Sequence, residues 1–249
     1  MSLVGQAWRS LLDKNSCQPP SEMVDLQNGG RFMHISKYLE TLKKDSCPNN
    51  CEFKKKRKID IARVPPPDEI LGVIISRDPT TDWLTKYRKN RENRKRLFET
   101  AIPGQLIERI EKFTREDVSY LREFLNQYVY WTHLHKCFTD KSGKTSIKFK
   151  PKNANECADA WLGEELNIAI NDKTKFIIAL GKDVQKWIGE WQEDCCRNKN
   201  IKIIYLPHPS RANVGRYLSW YPKESKNKER IKKRIDNLLQ LIRGSAYSP

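Results

Sequence analysis

Four short apolar runs stand out along an otherwise polar chain, at positions 70–75, 128–131, 175–180 and 201–206. Each run is rich in β-branched or aromatic residues and is too short to form a helix. Runs of this kind are typical of strands that are buried on both faces of a sheet. The pattern therefore predicts four strands.

Between and after these runs, apolar residues recur every three or four positions, which is the period of a helix with one buried face. Asn153 and Glu156 have the spacing of a capping box and predict a helix start ahead of Cys157 and Trp161. Two further stripes are Val184, Trp187, Ile188 and Trp191, and then Ile231, Ile235, Leu238, Leu239 and Ile242. We expect the last helix to stop at Gly244.

Strands that alternate with helices favour an α/β fold, because parallel strands need crossovers that cover the faces of the sheet. We predict a single three-layer α/β/α domain over residues 47–249, built on a central, mainly parallel four-stranded sheet. Residues 1–46 are interpreted as an N-terminal extension of short helices and loops. The proline run at 65–67 predicts that the folded core begins just after it.

The charge balance adds a partner to this fold. The 249-residue chain has 47 Lys and Arg against 31 Asp and Glu, a formal net charge of +16. Clustered cations gain affinity for nucleic acid by releasing counterions from phosphates. The cations are concentrated at 54–58, 86–96 and 223–234. We expect a nucleic-acid partner; the alternative is a basic surface that only keeps the protein in solution.

Composition also excludes some protein classes. No apolar run approaches the roughly 18–20 residues that span a bilayer, and the N-terminus has no long apolar signal segment. The seven cysteines are odd in number, in a chain too large to need disulfide staples, so free thiols or a metal site are expected. We expect an intracellular monomer without membrane contact, in the cytoplasm or nucleoid, or in the nucleus if eukaryotic.

Ligands of open parallel sheets bind at the carboxyl ends of the strands, so the residues after each run are the candidates for chemistry. The first run leads into Ser76-Arg77-Asp78-Pro79, and the second into Thr132-His133-Leu134-His135-Lys136-Cys137. The third is followed by Gly181, and the fourth by Pro207-His208-Pro209-Ser210. A carboxylate and histidines are therefore expected at one edge of the sheet.

These segments, in this order, carry a resemblance. Four segments resemble motifs of the uracil-DNA glycosylase superfamily. They are Asp78-Pro79 after the first strand, the stretch 130–137 followed by Cys157, the strand 176–181, and His208-Pro209-Ser210 after the fourth strand. The similarity is closest to the iron–sulfur members of families 4 and 5 and spans roughly residues 47–221. The resemblance implies a DNA glycosylase of base excision repair, with DNA as its partner.

By this resemblance, Asp78 stabilises an oxocarbenium-like sugar and orients water, and His208 stabilises the anion left on the base. Such enzymes must flip the base out of the stack. Pro209, Ser210 and Arg211 correspond to the loop that holds phosphates and wedges the duplex. Asn213 is a candidate for orienting this loop, or is an ordinary turn residue.

Two departures from the family pattern concern the base pocket. His133 stands where most members have an asparagine that reads a pyrimidine edge, and a histidine cannot present an amide's paired donor and acceptor. The usual glycine-rich stretch and stacking phenylalanine are also replaced. Trp83 or Tyr87 is then the candidate for stacking on the base, the alternative being two core aromatics at helical spacing.

The resemblance also sorts the cysteines. Cys47, Cys51, Cys137 and Cys157 match the four ligands of the family's structural [4Fe–4S] cluster, with zinc or no metal as alternatives. No catalytic metal is expected. Cys195 and Cys196 are adjacent and awkward as two ligands of one metal.

The functional hypothesis is a glycosylase that hydrolyses the N-glycosidic bond of a deaminated base. The alternative is a non-catalytic nucleic-acid-binding member of the same fold. An unrelated metabolic enzyme would need a phosphate-binding glycine loop, and the sequence has no G-x-G-x-x-G.

Overall fold

The computed structural model describes residues 30–42, 47, 60–139, 149–195, 200–210 and 225–246. Its centre is a four-stranded sheet with the order β2-β1-β3-β4. The strands are β1 Gly72–Ser76, β2 Val129–His133, β3 Phe176–Leu180 and β4 Lys202–Leu206. Every pairing is parallel. The four predicted strands are confirmed, with ends that differ from the apolar runs by one or two residues.

Helices connect the strands and cover the sheet. Before and between β1 and β2 they are α1 Gly30–Thr41, α2 Thr81–Asn90, α3 Arg94–Thr100, α4 Ile102–Thr114 and α5 Tyr120–Tyr128. After β2 they are α6 Pro151–Cys157, α7 Gly163–Ala169, α8 Lys182–Cys195 and α9 Ser225–Ala246, with a π-helical segment, Ala158–Leu162, joining α6 to α7. None of the described helices is both long and apolar enough to cross a bilayer.

Alternate residues of each strand enter two separate cores, as the period of two in a strand requires. Ile74, Trp131 and Ile178 face the core formed with α2 to α5 and α9. Ile75 and Tyr130 face the opposite core, formed with α1 and α6 to α8. The predicted three-layer α/β/α architecture is therefore confirmed.

The core extends further toward the N-terminus than the proline run predicts. Ala62 and Val64 precede the prolines and are buried in the core on the α9 side of the sheet. Ile35 and Leu39 of α1 are buried in the other core. In addition, the Tyr38 hydroxyl donates to the carbonyl oxygen of Trp161, 2.8 Å away. Part of the N-terminal extension is therefore packed against the domain.

The end of the last helix also differs from its prediction. Helix α9 continues through Gly244 to Ala246. A Cβ at Gly244 would meet nothing within 4 Å, so no packing contact forces the chain to turn there. Glycine favours a helix stop without requiring one.

The basic stretch 86–96 forms two helices, α2 and α3, and not all of its cations face solvent. The Arg94 side chain donates to the carbonyl oxygens of Pro65, 2.5 Å away, and Asn126, 2.7 Å away, and lies over the Phe98 ring. Burial lowers the pKa of Arg94 to about 9. This arginine of α3 holds α5 and the segment before β1 together, so its side chain is not available to contact DNA.

Candidate functional site

The strand register places the candidate residues at one edge of the sheet. Ser76 of β1 is opposite His133 of β2, and Leu180 of β3 is opposite Leu206 of β4. The four strands therefore end at nearly the same position along the sheet. Asp78 and His208 each follow within two residues of a strand end, which is where parallel sheets form their ligand sites.

Asp78 is a buried carboxylate that is fixed at both oxygens. Its side chain is 2% exposed and pairs through Oδ1 with Nε of Arg77. Its Oδ2 accepts a hydrogen bond from the Thr139 hydroxyl. The Thr139 backbone N–H donates to the carbonyl oxygen of Pro79, 2.9 Å away. Because both oxygens have partners and the loop is held through its backbone, the carboxylate has a defined orientation.

His208 is held in one tautomer next to this carboxylate. The Ser210 backbone N–H donates to Nδ1 of His208 over 3.3 Å, so in the neutral ring the proton is on Nε2. Burial and the positive charge of Arg77 lower the pKa of His208 to about 4, against a raising effect of Asp78. His208 is therefore a neutral hydrogen-bond donor at neutral pH.

Gly181 is required by its backbone conformation and lies beside His208. It follows β3, which lies between β1 and β4, and has a φ of 87°, a conformation that side chains rarely adopt. A Cβ built on Gly181 would lie 3.4 Å from Cβ of His208. The glycine therefore permits the backbone turn after β3, and that turn lies next to the histidine after β4.

His133 ends β2 and is 1% exposed. Its ring centroid lies 4.8 Å from that of Trp131 and 6.2 Å from that of Trp83. Burial, followed by Lys136 and the other two histidines of this edge, lowers its pKa well below the usual range. Its Nε2 has no hydrogen-bond partner among the described residues. The neutral ring can therefore give one donor or one acceptor to a ligand, according to its tautomer.

His135 is a further histidine at this edge, and the resemblance gave it no role. It is 2% exposed, and its Nδ1 lies 3.2 Å from the carbonyl oxygen of Cys137. Burial lowers its pKa to about 4, although Asp78 acts to raise it. The pair of histidines two positions apart after β2 was the available sequence signal.

The residue after His135 forms a buried ion pair that the sequence did not reveal. Lys136 Nζ lies 2.6 Å from Oε2 of Glu165, with the side chains 4% and 0% exposed. Oε1 of Glu165 accepts hydrogen bonds from the hydroxyls of Thr132 and of Tyr130, the latter over 2.9 Å. The ion pair and its two hydroxyl partners connect β2 to α7, because Glu165 belongs to that helix.

Trp83 and Tyr87 lie inside the core formed with α2 to α5 and α9, at 8% and 7% exposure. Their ring centroids are 5.2 Å apart. The Tyr87 hydroxyl oxygen accepts a hydrogen bond from the backbone N–H of Arg63, 2.9 Å away. This packing favours the alternative of core aromatics, although Trp83 also contacts the ring of His133.

The loop after β4 is described only in part. Pro209 is buried, and its carbonyl oxygen accepts a hydrogen bond from Nε of Arg109 over 3.3 Å. Ser210 is half-buried beside His208. Arg211 and Asn213 lie outside the described residues, so their predicted roles stay predictions.

Cys47, Cys137 and Cys157 are each buried, at 8%, 4% and 5% exposure. Cys51 lies outside the described residues. Within the described part of the chain, no group of three or more His, Cys, Asp or Glu side chains is arranged to hold a metal ion. The cluster remains a prediction.

A family model described as the uracil DNA glycosylase superfamily matches residues 73–239, which is more than half of the chain. No curated protein matches the chain.

The Lys136–Glu165 ion pair leads to a stability prediction. Lys136→Met leaves the Glu165 carboxylate buried without its cation, so we expect the free energy of unfolding to fall by about 3–5 kcal/mol. The double variant Lys136→Met, Glu165→Leu is expected to recover much of this loss. Lys173→Met is the matched control, because the Lys173–Glu69 pair is exposed and should contribute about 0–1 kcal/mol. Urea denaturation measures all three; equal losses at Lys136 and Lys173 would contradict the prediction.

Proposed function

The chain belongs to the uracil DNA glycosylase superfamily, and from that premise we propose that it hydrolyses the N-glycosidic bond of a damaged base in DNA. One observation carries the proposal for this chain. A fixed carboxylate, Asp78, and a neutral histidine donor, His208, lie at the same edge of the parallel sheet. These are the two groups that breaking such a bond requires.

Bond cleavage develops positive charge on the sugar and negative charge on the base. We assign the sugar to Asp78, whose carboxylate stabilises the oxocarbenium-like C1′ and orients the attacking water. The base departs with the electron pair of the C1′–N bond, and the water oxygen bonds to C1′. The proton lost by that water neutralises the departing base, which leaves an abasic site.

We assign the departing base to His208. A donor that is already neutral places its Nε2–H toward the developing charge without first losing a proton to solvent. The lowered pKa of His208, to about 4, keeps it in this form across the physiological range.

The damaged base is proposed to be a deamination product. His133 offers a single donor or acceptor, so it does not distinguish uracil by a paired amide contact. Hypoxanthine and xanthine also present carbonyl and N–H groups at their edges. We therefore place uracil, hypoxanthine and xanthine together as candidate substrates.

DNA is proposed to contact the exposed cations of α9. Arg234 donates to the carbonyl oxygen of Tyr205, 2.9 Å away, which positions this part of α9 beside the last residues of β4. Lys228, Arg230, Lys232 and Lys233 are exposed cations within two helical turns of Arg234. They are therefore close to the strand that leads into His208.

We also propose that Cys47, Cys51, Cys137 and Cys157 hold a [4Fe–4S] cluster. Four thiolates are the usual ligand set of such clusters. The sequence resemblance supports this proposal, as does the burial of the three described cysteines. A cluster there would link the N-terminal segment to the loop after β2 and to α6, which is a structural role.

The first prediction from the proposed function concerns catalysis. Oligonucleotides that carry uracil, hypoxanthine or xanthine, single- or double-stranded, are incubated with excess enzyme, and abasic-site formation is measured. We expect Asp78→Asn to slow cleavage by about 10²- to 10⁴-fold and His208→Ala by about 10²- to 10³-fold.

Asp172→Asn is the matched control for this experiment, because Asp172 is an exposed aspartate ahead of β3, at the opposite edge of the sheet. Full activity of the Asp78 and His208 variants would overturn the site assignment. A wild-type protein that binds DNA but cleaves no base would instead be the non-catalytic member of the fold.

The second prediction concerns the DNA-binding surface. The double variant Lys232→Gln, Lys233→Gln is expected to weaken DNA binding and to reduce the slope of log affinity against log salt concentration by about 2. Lys175→Gln, an exposed lysine just before β3, is expected to leave both unchanged. Fluorescence anisotropy over a salt series measures the slope; an unchanged slope in the double variant would exclude these lysines from the footprint.

The third prediction concerns the cluster. Protein purified without oxygen is expected to be brown and to contain iron and sulfide, with visible thiolate-to-iron absorbance. Cys137→Ser and Cys157→Ser should lose this absorbance, whereas Cys17→Ser should keep it, because Cys17 is not among the proposed ligands. Folded, colourless, iron-free wild-type protein would refute the cluster.

A further inference from the structure

Arg77 lies between β1 and Asp78, and the resemblance assigns it no role. Its carbonyl oxygen accepts a hydrogen bond from the backbone N–H of His135, 2.9 Å away, which fixes its backbone to the loop after β2. Its Nε pairs with Oδ1 of Asp78. Its guanidinium carbon lies 4.2 Å from the centre of the Phe149 ring. The side chain is therefore held at one nitrogen and on one face.

The rest of the guanidinium is available to a ligand. The side chain is 43% exposed, although the carboxylate it pairs with is buried. Within the described part of the chain, the two terminal nitrogens of Arg77 make no hydrogen bond or ion pair. Two parallel N–H donors on a fixed plane match a pair of acceptor oxygens or a delocalised anion.

Arg77 also supplies positive charge at this edge. His208 is neutral at neutral pH, and the charge of Arg77 contributes to that neutrality. Lys136, another described cation near this edge, is buried in its ion pair with Glu165. Among the described residues, Arg77 is therefore a cation that pairs with Asp78, is partly exposed to solvent and acts electrostatically on His208.

We propose, on the basis of the proposed glycosylase function, that Arg77 is a catalytic residue whose guanidinium binds the departing base and neutralises its negative charge. Asp78 and Arg77 would then form a fixed pair of opposite charges. The carboxylate faces the sugar that becomes positive, and the guanidinium faces the base that becomes negative. The electron pair of the C1′–N bond moves toward Arg77, and the base takes its final proton from the attacking water.

This arrangement suits a chain that has His133 where the family has asparagine. A base-reading amide holds a pyrimidine through paired hydrogen bonds, which His133 cannot supply. A cation binds the common feature of the leaving bases, their negative charge, and is indifferent to ring shape. Arg77 therefore adds stabilisation in the transition state, where that charge develops, and little in the ground state.

A leaving-group comparison tests the proposal. Uracil and 5-fluorouracil have nearly the same shape, but the fluorine makes the departing anion more stable and less dependent on a cation. We expect Arg77→Gln to slow single-turnover cleavage of uracil by about 10²-fold and that of 5-fluorouracil by clearly less. Arg77→Lys should recover part of the rate. Arg122→Gln removes an exposed arginine of α5 and should change the cleavage rate of neither uracil nor 5-fluorouracil.

Two other roles for Arg77 give different results. If it only orients Asp78, Arg77→Gln slows both bases by the same factor, because the sugar cation is common to them. If it binds a DNA phosphate, the variant raises KM and lowers the salt slope while kcat stays unchanged. Either result overturns the proposal.

A binding measurement separates this proposal from the proposed function. Free 5-fluorouracil is titrated into the complex of the protein with an abasic-site duplex, at pH values below and above ionisation of the base. Wild-type protein is expected to bind the anion more tightly than the neutral base, and Arg77→Gln is expected to lose this preference. If wild-type protein cleaves no base but shows the preference, the catalytic function fails and anion binding by Arg77 stands. If the wild-type protein and Arg77→Gln bind the anion and the neutral base with the same preference, the role proposed for Arg77 is refuted.

Discussion

The parallel pairing of the four strands is the constraint on which the site depends. Parallel strands start at one edge of a sheet and end at the other, so every polar segment that comes after a strand arrives at the same edge. The register is nearly level, since Ser76 pairs with His133 and Leu180 with Leu206. Asp78 and His208, 130 positions apart in the chain, become neighbours for this reason.

Burial at this edge determines the charge state of its residues. Helices cover both faces of the sheet, so polar groups at the strand ends lie in surroundings that disfavour isolated charge. The histidines respond by remaining neutral, with lowered pKa values. The charges that persist are paired: Lys136 with Glu165, and Arg77 with Asp78. A site of neutral donors and one partly exposed ion pair results.

Such a site is suited to separating charge. At a largely buried site, a fixed carboxylate and a fixed cation stabilise the opposite charges of the sugar and the base strongly. They need no rearrangement when those charges form. The same fold also limits what the cations of the chain can do. Arg94 is occupied in holding helices to the sheet, and Arg88 pairs with Asp60. Fewer than the 47 Lys and Arg of the chain are therefore free to contact DNA.

The sequence by itself determined the strands, the layers and the positions of Asp78 and His208, because short β-branched runs indicate strands and the segments after parallel strands meet at one edge of the sheet. It did not determine which aromatics are buried or which charges are paired. Trp83 and Tyr87 have the spacing of either a pocket or a core, and only their packing in the tertiary structure favours the core. The sequence did not reveal that Glu165 is buried. Its pairing with Lys136, and that of Arg77 with Asp78, depend on how segments pack in three dimensions, and periodicity along the chain contains no such distances.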